Sequence, residues 1–265
     1  MSKRVKTSLI WAFVGVMLAV MYIPIVILIV YSFTGAKALG VWSGFSFELY
    51  ADLFTNSSIM NAFKNSMILA LVSALLSTVL GTTAAIGIFH MRKWKKSAAN
   101  FIANITMENA EIVTGVSFMM FFLVLRLPYG WTTLIIAHTM ITTPYVILSV
   151  TPKLSQLNPN LYEAGLDLGA SPIKSMFTVI VPQLIPGMLS GFVMAFALSL
   201  DDFIVSKFVN GSVETIPVYL YNALAKRGAD PTLRALSSVL FVAVLAVLIA
   251  LNAVSAKRRK KAIQG

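Results

Sequence analysis

Long apolar runs alternate with short polar segments rich in Lys and Arg along most of this 265-residue chain. A helix needs roughly 20 apolar residues to cross a hydrocarbon layer of about 30 Å. Uncharged runs of that length or more lie at residues 7–36, 65–89, 131–150 and 235–256. These runs predict four transmembrane helices.

Two further apolar runs, 112–125 and 187–200, have only 14 residues each and are too short to span alone. Each reaches spanning length by taking in charged residues. The first extends back to Phe101 and includes Glu108 and Glu111; the second extends forward to Val209 and includes Asp201, Asp202 and Lys207. The pattern therefore predicts six transmembrane helices in a single membrane domain covering 1–265. Their predicted bounds are about 9–33, 64–89, 101–125, 131–150, 187–209 and 233–256.

Composition agrees with a membrane protein. Hydrophobic residues make up 58% of the chain and charged residues 12%, with a mean hydropathy of +0.83. Soluble domains carry roughly 25% charged residues. The chain has no Cys, which excludes a disulfide framework, a thiolate metal site and a Cys nucleophile.

The basic residues predict the orientation. With the N-terminus in the cytoplasm, the cytoplasmic segments 1–6, 92–96, 151–186 and 257–261 hold fourteen of the 21 Lys and Arg residues. Short cytoplasmic loops carry such an excess. Both termini are therefore expected in the cytoplasm, and topology explains the net charge of +11 without a nucleic-acid partner. The aromatic-rich segment 35–61 on the other side is expected to be an interfacial loop or a short surface helix.

The cytoplasmic segment 151–186 carries its own helix boundaries. Asn158 before Pro159, and Ser171 before Pro172, each fit a helix N-cap followed by the first helical position. Gly169 fits the left-handed residue after a helix end, and Pro182 is expected to close the second helix. We expect two short helices joined by a tight turn. In the first, the spacing of Leu161, Ala164, Gly165 and Leu168 predicts a narrow face suited to contact with another protein.

This segment resembles the EAA loop of bacterial ABC-importer permeases, in which E-A-A is followed after three residues by G and nine residues later by I-x-L-P. Here Glu163-Ala164-Gly165 precedes Gly169, and Val179-Ile180-Val181-Pro182 follows with matching spacing. Gly replaces the second alanine and Val replaces the Ile and the Leu. The resemblance implies a coupling helix that docks on a separate ATPase subunit. The residues implied in ATPase coupling are Glu163, Ala164, Gly165, Gly169 and Pro182.

An ATPase partner also fits what the chain lacks. No glycine is followed by lysine, so the G-x-x-x-x-G-K-[ST] phosphate loop is absent from the sequence. We therefore expect no enzyme activity and no cofactor in this chain, with ATP and Mg²⁺ bound by the partner. ATP-driven closure of the ATPase pair would move the two loop helices and rock the packed spans as rigid bodies.

Acidic residues within spans are expensive and favour a functional role. Along continuous helices that begin at Phe101 and Gly187, Glu111 and Asp201 are predicted near the middle of the membrane. A cation pathway lined by Asp201 or Asp202, Glu111 and Glu108 is one interpretation. The other is that each acid is a structural hydrogen-bond anchor, for Lys207 or for a broken helix end. His138 is expected to be a satisfied interhelical residue, and the glycines Gly187 and Gly191 fit close helix packing within the chain or between subunits.

The segments "SLDDFIVSKFVNG" (199–211), "MYIPIVILIVYSF" (21–33) and "EAGLDLGAS" (163–171) resemble the second permease subunit of spermidine/putrescine ABC importers. That resemblance implies an all-α polytopic protein with the type I ABC-importer permease (MetI-like) fold in the bacterial inner membrane. It also implies a polyamine substrate. The implied partners are a second, different permease chain that forms a heterodimer with this one, two ATPase subunits, an extracytoplasmic polyamine-binding protein and the bilayer.

Three alternatives stay open at this point. The solute could be another one handled by related permeases, such as ferric iron or thiamine. The chain could be a cation transporter driven by an ion gradient, with the buried acids as a relay. A membrane assembly factor without transport activity would leave the acids unexplained.

Overall fold

A computed structural model describes residues 3–36, 40–158, 160–227, 231–242, 245–246 and 249. In these ranges the chain is helical, and an isolated bridge between Thr34 and Phe45 is the sole β-type pairing. The helices are α1 (Lys3–Ser32), α2 (Glu48–Thr55), α3 (Ser57–Phe89), α4 (Lys93–Glu108), α5 (Glu111–Val124), α6 (Trp131–Gln156), α7 (Asn160–Asp167), α8 (Pro172–Ser175), α9 (Val181–Asp201), α10 (Ile204–Val209), α11 (Ile216–Arg227) and α12 (Thr232–Val242).

Among the described residues, four helices are long and apolar enough to cross a membrane, and the bent pair α4–α5 would make a fifth. They are Ile10–Ser32, Ser57–Phe89, Trp131–Gln156 and Pro172–Asp201. The first part of the sixth predicted span, 233–256, belongs to α12, and eleven of its 24 residues lie outside the described residues. The all-α membrane architecture is confirmed, whereas the count of six spans stays a prediction.

The predicted third span, 101–125, differs from the structure. It is divided at Asn109, whose extended backbone (ψ 142°) ends α4, and α5 leaves at an angle of 103°. The cause is local: Glu108 and Asn109 interrupt the apolar run, and Asn is a weak helix former. Depth in the membrane therefore cannot be counted from Phe101 to Glu111 along one straight helix.

The predicted fifth span, 187–209, also differs at both ends. A π-helical turn, Met176–Ile180, joins α8 to α9, so Pro182 does not close the second loop helix. In this turn the Val181 N–H bonds the Met176 carbonyl five residues earlier, and Pro182 follows in the first turn of α9. The opposite end stops at Asp201, and the short helix α10 restarts at Ile204.

The chain divides into two compact units, Asn61–Tyr219 and the combined segments Met1–Met60 and Leu220–Gly265. In the second of these, the residues after α1 fold back on its end. The Ser46 N–H bonds the Phe33 carbonyl at 2.7 Å, and the Ser32 and Tyr50 hydroxyls lie 2.7 Å apart. The Phe33 ring stacks on Phe45 at 5.3 Å. The expected short surface helix is present as α2.

The unit Asn61–Tyr219 is built around α6, which packs between α3 and α9 at glycines. A Cβ at Gly81 of α3 would lie 2.6 Å from Val146 Cβ, and one at Gly191 of α9 would lie 3.1 Å from Val146 Cα. A Cβ at Gly187 of α9 would likewise lie 3.1 Å from the Ser149 carbonyl oxygen. The predicted glycine pair thus serves packing within the chain, which lets three helices approach closely around a buried apolar core.

Candidate functional site

The loop helix α7 ends in a turn closed by backbone hydrogen bonds. Gly169 has φ +83°, as the sequence predicts. Its N–H bonds the Leu166 carbonyl at 2.8 Å, and the Ala170 N–H bonds the Gly165 carbonyl at 3.2 Å. This pair of bonds is a Schellman motif, in which glycine avoids the Cβ strain of the left-handed region. The end of α7 and the turn that follows it are therefore closed by backbone hydrogen bonds.

Both loop helices begin at side-chain caps. The Asn158 side chain accepts the Asn160 N–H at 3.0 Å, and the Ser171 hydroxyl accepts the Lys174 N–H at 3.3 Å. Asn158 and Ser171 are the two predicted caps. Pro159 lies outside the described residues, and Pro172 stands at the first position of α8.

Gly165 fixes how the two loop helices pack. A Cβ at this position would overlap Ser175 Oγ and lie 3.2 Å from Ser175 Cβ. The Ser175 hydroxyl donates to the Tyr162 carbonyl at 3.1 Å, and Ser175 is fully buried. Glycine in place of the second alanine of the EAA pattern therefore allows a close contact that joins α7 and α8 into one unit.

The predicted narrow face of α7 is divided in the structure. Leu161 packs against the apolar core and Gly165 is buried, whereas Ala164 and Leu168 are exposed. On a helix with 3.6 residues per turn these four positions cover a broad face, so one edge of the face is buried while the other edge is exposed. Glu163, Asp167 and Pro182 are also exposed.

Large apolar side chains are exposed around this loop. Leu168 is 90% exposed, Ile173 72% and Phe177 67%. Ile173 and Phe177 are four residues apart, so they share one side of the helix. The spacing of Leu168 pointed to the loop surface, but sequence reasoning did not single out Ile173 or Phe177.

A second polar region lies where α9 ends and α10 begins. Asp201 is the last residue of α9 and is exposed, whereas the Asp202 side chain is only 8% exposed. The Asp202 carboxylate accepts the Val205 N–H at 3.3 Å and the Ser206 N–H at 2.7 Å. Asp202 is thus a cap for α10, which is the anchor role at a broken helix end.

His138 of α6 completes this region. It is fully buried; its Nδ1 lies 2.7 Å from Ser199 Oγ and its Nε2 lies 3.0 Å from Ser206 Oγ. Nε2 is also 3.5 Å from the Asp202 carboxylate. The interhelical role expected of His138 is confirmed. Its partners were missed, although Ser199, Asp202 and Ser206 have the i, i+3, i+7 spacing of one helical face.

The other break, between α4 and α5, precedes a helix that packs on α10. A Cβ on Gly115 of α5 would lie 2.7 Å from Phe208 Cδ2 and 3.5 Å from Ile204 Cγ2 of α10, and Gly211 after α10 contacts the Tyr129 carbonyl after α5. Glu108 and Glu111 are both exposed.

Comparison with known proteins identifies the family. The family "Binding-protein-dependent transport system inner membrane component" matches residues 77–258. The chain belongs to this family. It is a permease subunit of an ABC importer in the inner membrane, a transport component and not an enzyme.

Curated relatives cover nearly the whole chain. The spermidine/putrescine transport system permease protein PotC of Haemophilus influenzae is 34% identical over 90% of this chain and 93% of its own length. PotC of Escherichia coli K12 is 32% identical, with 94% of each chain covered. The putrescine transport system permease protein PotI of Escherichia coli K12 is 31% identical, covering 84% of this chain and 82% of PotI.

Solved structures show the same fold at low identity. A chain of a bacterial ABC transporter that imports the acidic polysaccharide alginate superposes with a TM-score of 0.71 at 13% identity, covering 97% of this chain and 98% of its own. The MetNI methionine ABC transporter in inward-facing form gives 0.59 at 18% identity, over 75% of this chain and 97% of that one. The ABC-importer permease fold is therefore confirmed, and family membership disfavours the ion-gradient transporter and the assembly factor.

Proposed function

We propose that this chain forms part of the translocation pathway for polyamines, spermidine and putrescine, in an importer driven by separate ATPase subunits. The observation that carries the proposal is the likeness to PotC and PotI over most of the chain. Its partners are a second, non-identical permease chain, two ATPase subunits that bind ATP and Mg²⁺, and a polyamine-binding protein outside the membrane. We propose that both termini lie in the cytoplasm, on the ATPase side, as the distribution of Lys and Arg predicts.

The exposed loop supports the coupling part of the proposal. Glu163 and Ala164 stand on the outside of α7, and the mostly exposed Leu168 and Ile173 lie on either side of the Gly169 turn. Apolar side chains of this size gain roughly 1.5–3 kcal/mol each on full burial, so a partner surface that covers them would bind with useful affinity. Gly165, Gly169 and Pro182 act on this surface indirectly, since they shape the turn and the helices that carry it.

The exposed acids support the pathway part. Asp201 and Glu108 are each the last residue of a helix, where the helix dipole adds partial negative charge. Such helix ends favour cations, and half-helix carboxyl ends hold cations in transporters. Glu111 belongs to the same helix break as Glu108. Asp202, whose oxygens already accept two N–H groups, contributes to the pathway only by fixing α10.

The test is ATP-dependent uptake of labelled spermidine by vesicles that contain this chain, its permease partner and the ATPase subunits, supplied with the binding protein. We expect saturable uptake that excess putrescine inhibits and that excess thiamine or ferric iron does not. Inhibition by thiamine or ferric iron instead would assign the permease to that solute.

Coupling is tested with Glu163→Arg, which should abolish most uptake while leaving assembly of the permease pair intact. Asp167→Arg makes the same change of charge one turn further along the exposed side of α7 and is the matched control. Uptake without any ATPase, or equal uptake by the Glu163→Arg variant and the unaltered protein, would overturn the coupling proposal.

A further inference from the structure

His138 bonds to residues on both sides of the interruption between α9 and α10. Ser199 precedes the interruption and Ser206 follows it, and the two ring nitrogens of His138 each meet one of these hydroxyls. All three side chains are at most 4% exposed. Because buried polar groups are costly unless they are hydrogen-bonded, the three residues support one another in this position.

The arrangement selects one form of the imidazole. A carboxylate can only accept hydrogen bonds, so Asp202, 3.5 Å from Nε2, favours the tautomer that carries its proton there. Nδ1 is then an acceptor for the Ser199 hydroxyl, whereas Nε2–H points toward Ser206 and Asp202. Nε2 therefore faces both the Ser206 hydroxyl and the Asp202 carboxylate, and that carboxylate accepts the Ser206 N–H.

Helix α10 needs such support because it has only six residues. Helices this short are not stable by themselves in the absence of tertiary contacts. Its first free N–H groups are satisfied by Asp202, and its inward side packs through Val205 and Val209. His138 is the contact from α6 that links this cap to the end of α9.

We propose that His138 is a positioning residue that clasps Ser199 and Ser206 across the interruption. The clasp keeps Asp202 as a cap of α10 and leaves Asp201 as the acid of this pair that is presented to the solute. The second half of this statement rests on the proposed transport function, whereas the first half concerns the fold alone. Accordingly, the two halves are tested separately.

The first test uses the absence of Cys from this chain, so an introduced thiol is the sole one on this subunit. Val205→Cys places a thiol in α10 at a position that is 2% exposed. The assembled transporter is treated with N-ethylmaleimide, the subunits are separated, and the rate of labelling is measured on this chain. If His138 holds α10 in place, His138→Asn in this background should raise the labelling rate about tenfold, because local opening exposes the thiol.

Two matched variants separate the clasp from a general loss of core stability. Glutamine reaches the position of Nε2 and keeps the contact with Ser206 and Asp202, whereas asparagine reaches only that of Nδ1 and Ser199. His138→Gln loses Ser199 but still bonds α10, so it should raise the labelling rate less than His138→Asn does. Ser77→Ala removes buried bonds from α3 to Thr142 and Thr139 of α6, beside His138 but without changing any group that bonds Ser199, Ser206 or Asp202. It should leave labelling within about twofold of the unaltered protein.

The second test is spermidine uptake. We expect His138→Asn to raise the half-saturating concentration about fivefold with less than twofold change in the maximal rate. Adding Asp201→Asn should then have a smaller effect than it has alone, because the two changes act on one interaction. His138→Gln should bring the half-saturating concentration part of the way back, because it keeps the contact with Ser206.

The outcomes are distinguishable. Equal labelling in the His138→Asn and Ser77→Ala variants would overturn the clasp, whatever the transport result. Faster labelling with an unchanged half-saturating concentration would overturn the role toward Asp201. Faster labelling in a transporter that does not carry spermidine at all would support the clasp and overturn the polyamine proposal.

Discussion

The coupling loop and the interruption between α9 and α10 both end one helix and start another, but they do so by opposite means. In the loop, backbone bonds around Gly169 close the turn, and the side chains of Glu163 and Leu168 remain exposed. At the interruption, buried side chains of His138 and Asp202 supply the bonds. A turn closed by backbone leaves its side chains free for a partner. A turn closed by side chains commits those side chains to hydrogen bonds within the protein, so it is suited to holding a fixed shape.

We expect the largest loss of stability for Asp202→Ala, which removes the cap of α10. The Val205 and Ser206 N–H groups would lose their acceptor in a mostly buried place, at a cost of about 2–3 kcal/mol. A thermal unfolding midpoint several degrees lower in detergent would measure it. Asp201→Ala is the control, since this exposed side chain should change stability by less than about 0.5 kcal/mol. Equal losses of stability in both variants would show that Asp202 supports the fold no more than Asp201 does.

Next in size is the effect of Leu168→Ser on the ATPase contact. Leu168 is 90% exposed, so its replacement should leave the unfolding midpoint of the permease unchanged. If the ATPase covers this side chain, affinity should fall by about 1.5–3 kcal/mol, or roughly 10- to 150-fold. Titration of the purified ATPase subunit against the permease pair measures the affinity. An unchanged affinity would show that the exposed loop residue does not reach the partner.

A smaller loss is expected for Gly165→Ala, where the loop depends on its own packing. The added methyl group would overlap Ser175 Oγ, and overpacking of this kind costs about 1–3 kcal/mol, here at the lower end because one hydroxyl can turn away. The unfolding midpoint and ATP-driven uptake should both fall. Adding Ser175→Ala should recover part of the loss by making room. No recovery in the double variant would place the strain elsewhere.

Ser171→Ala should have the smallest effect. It removes a single long cap bond of 3.3 Å at the exposed start of α8, which predicts a loss of about 0.5–1 kcal/mol. Ser171→Asp keeps an acceptor in the same place and should lose nothing. A loss of stability larger than that caused by Asp202→Ala would show that a side-chain cap matters more in the loop than at the interruption, contrary to our comparison.

Sequence patterns were sufficient where a local rule decides the structure. The caps at Asn158 and Ser171 and the left-handed Gly169 follow from local backbone chemistry, and the long apolar runs follow from the thickness of the bilayer. The angle of 103° between α4 and α5 could not be read in this way, because an apolar run interrupted by Glu108 and Asn109 is compatible with a straight or a broken helix. The same limit applied to Pro182, which the preceding π-helical turn accommodates.

The two acids illustrate why a site is harder to predict than a fold. Asp201 and Asp202 are adjacent and chemically identical, and sequence reasoning could say only that they do not share a face. Their different roles depend on His138, which lies more than 60 residues earlier in the chain. Contacts at such separation are set by how α6 packs against α9, and that packing depends on Val146 meeting Gly191.

The continuous helix Pro172–Asp201 connects the two compared regions mechanically. Its 30 residues measure about 45 Å, and it crosses α6 at Gly187 and Gly191, about 22 Å from one end and 15 Å from the other. Two small residues at a crossing point form a pivot.

A tilt of this helix by about 10° at the crossing would move its ATPase end by roughly 4 Å and would carry Asp201 roughly 3 Å in the opposite direction. Spin labels at the two ends, measured with and without ATP, would show opposite displacements. If the proposed coupling tilts this helix, a crossing placed nearer the loop would enlarge the movement at Asp201 and reduce the force there, so the position of the two glycines would set the ratio of the two movements.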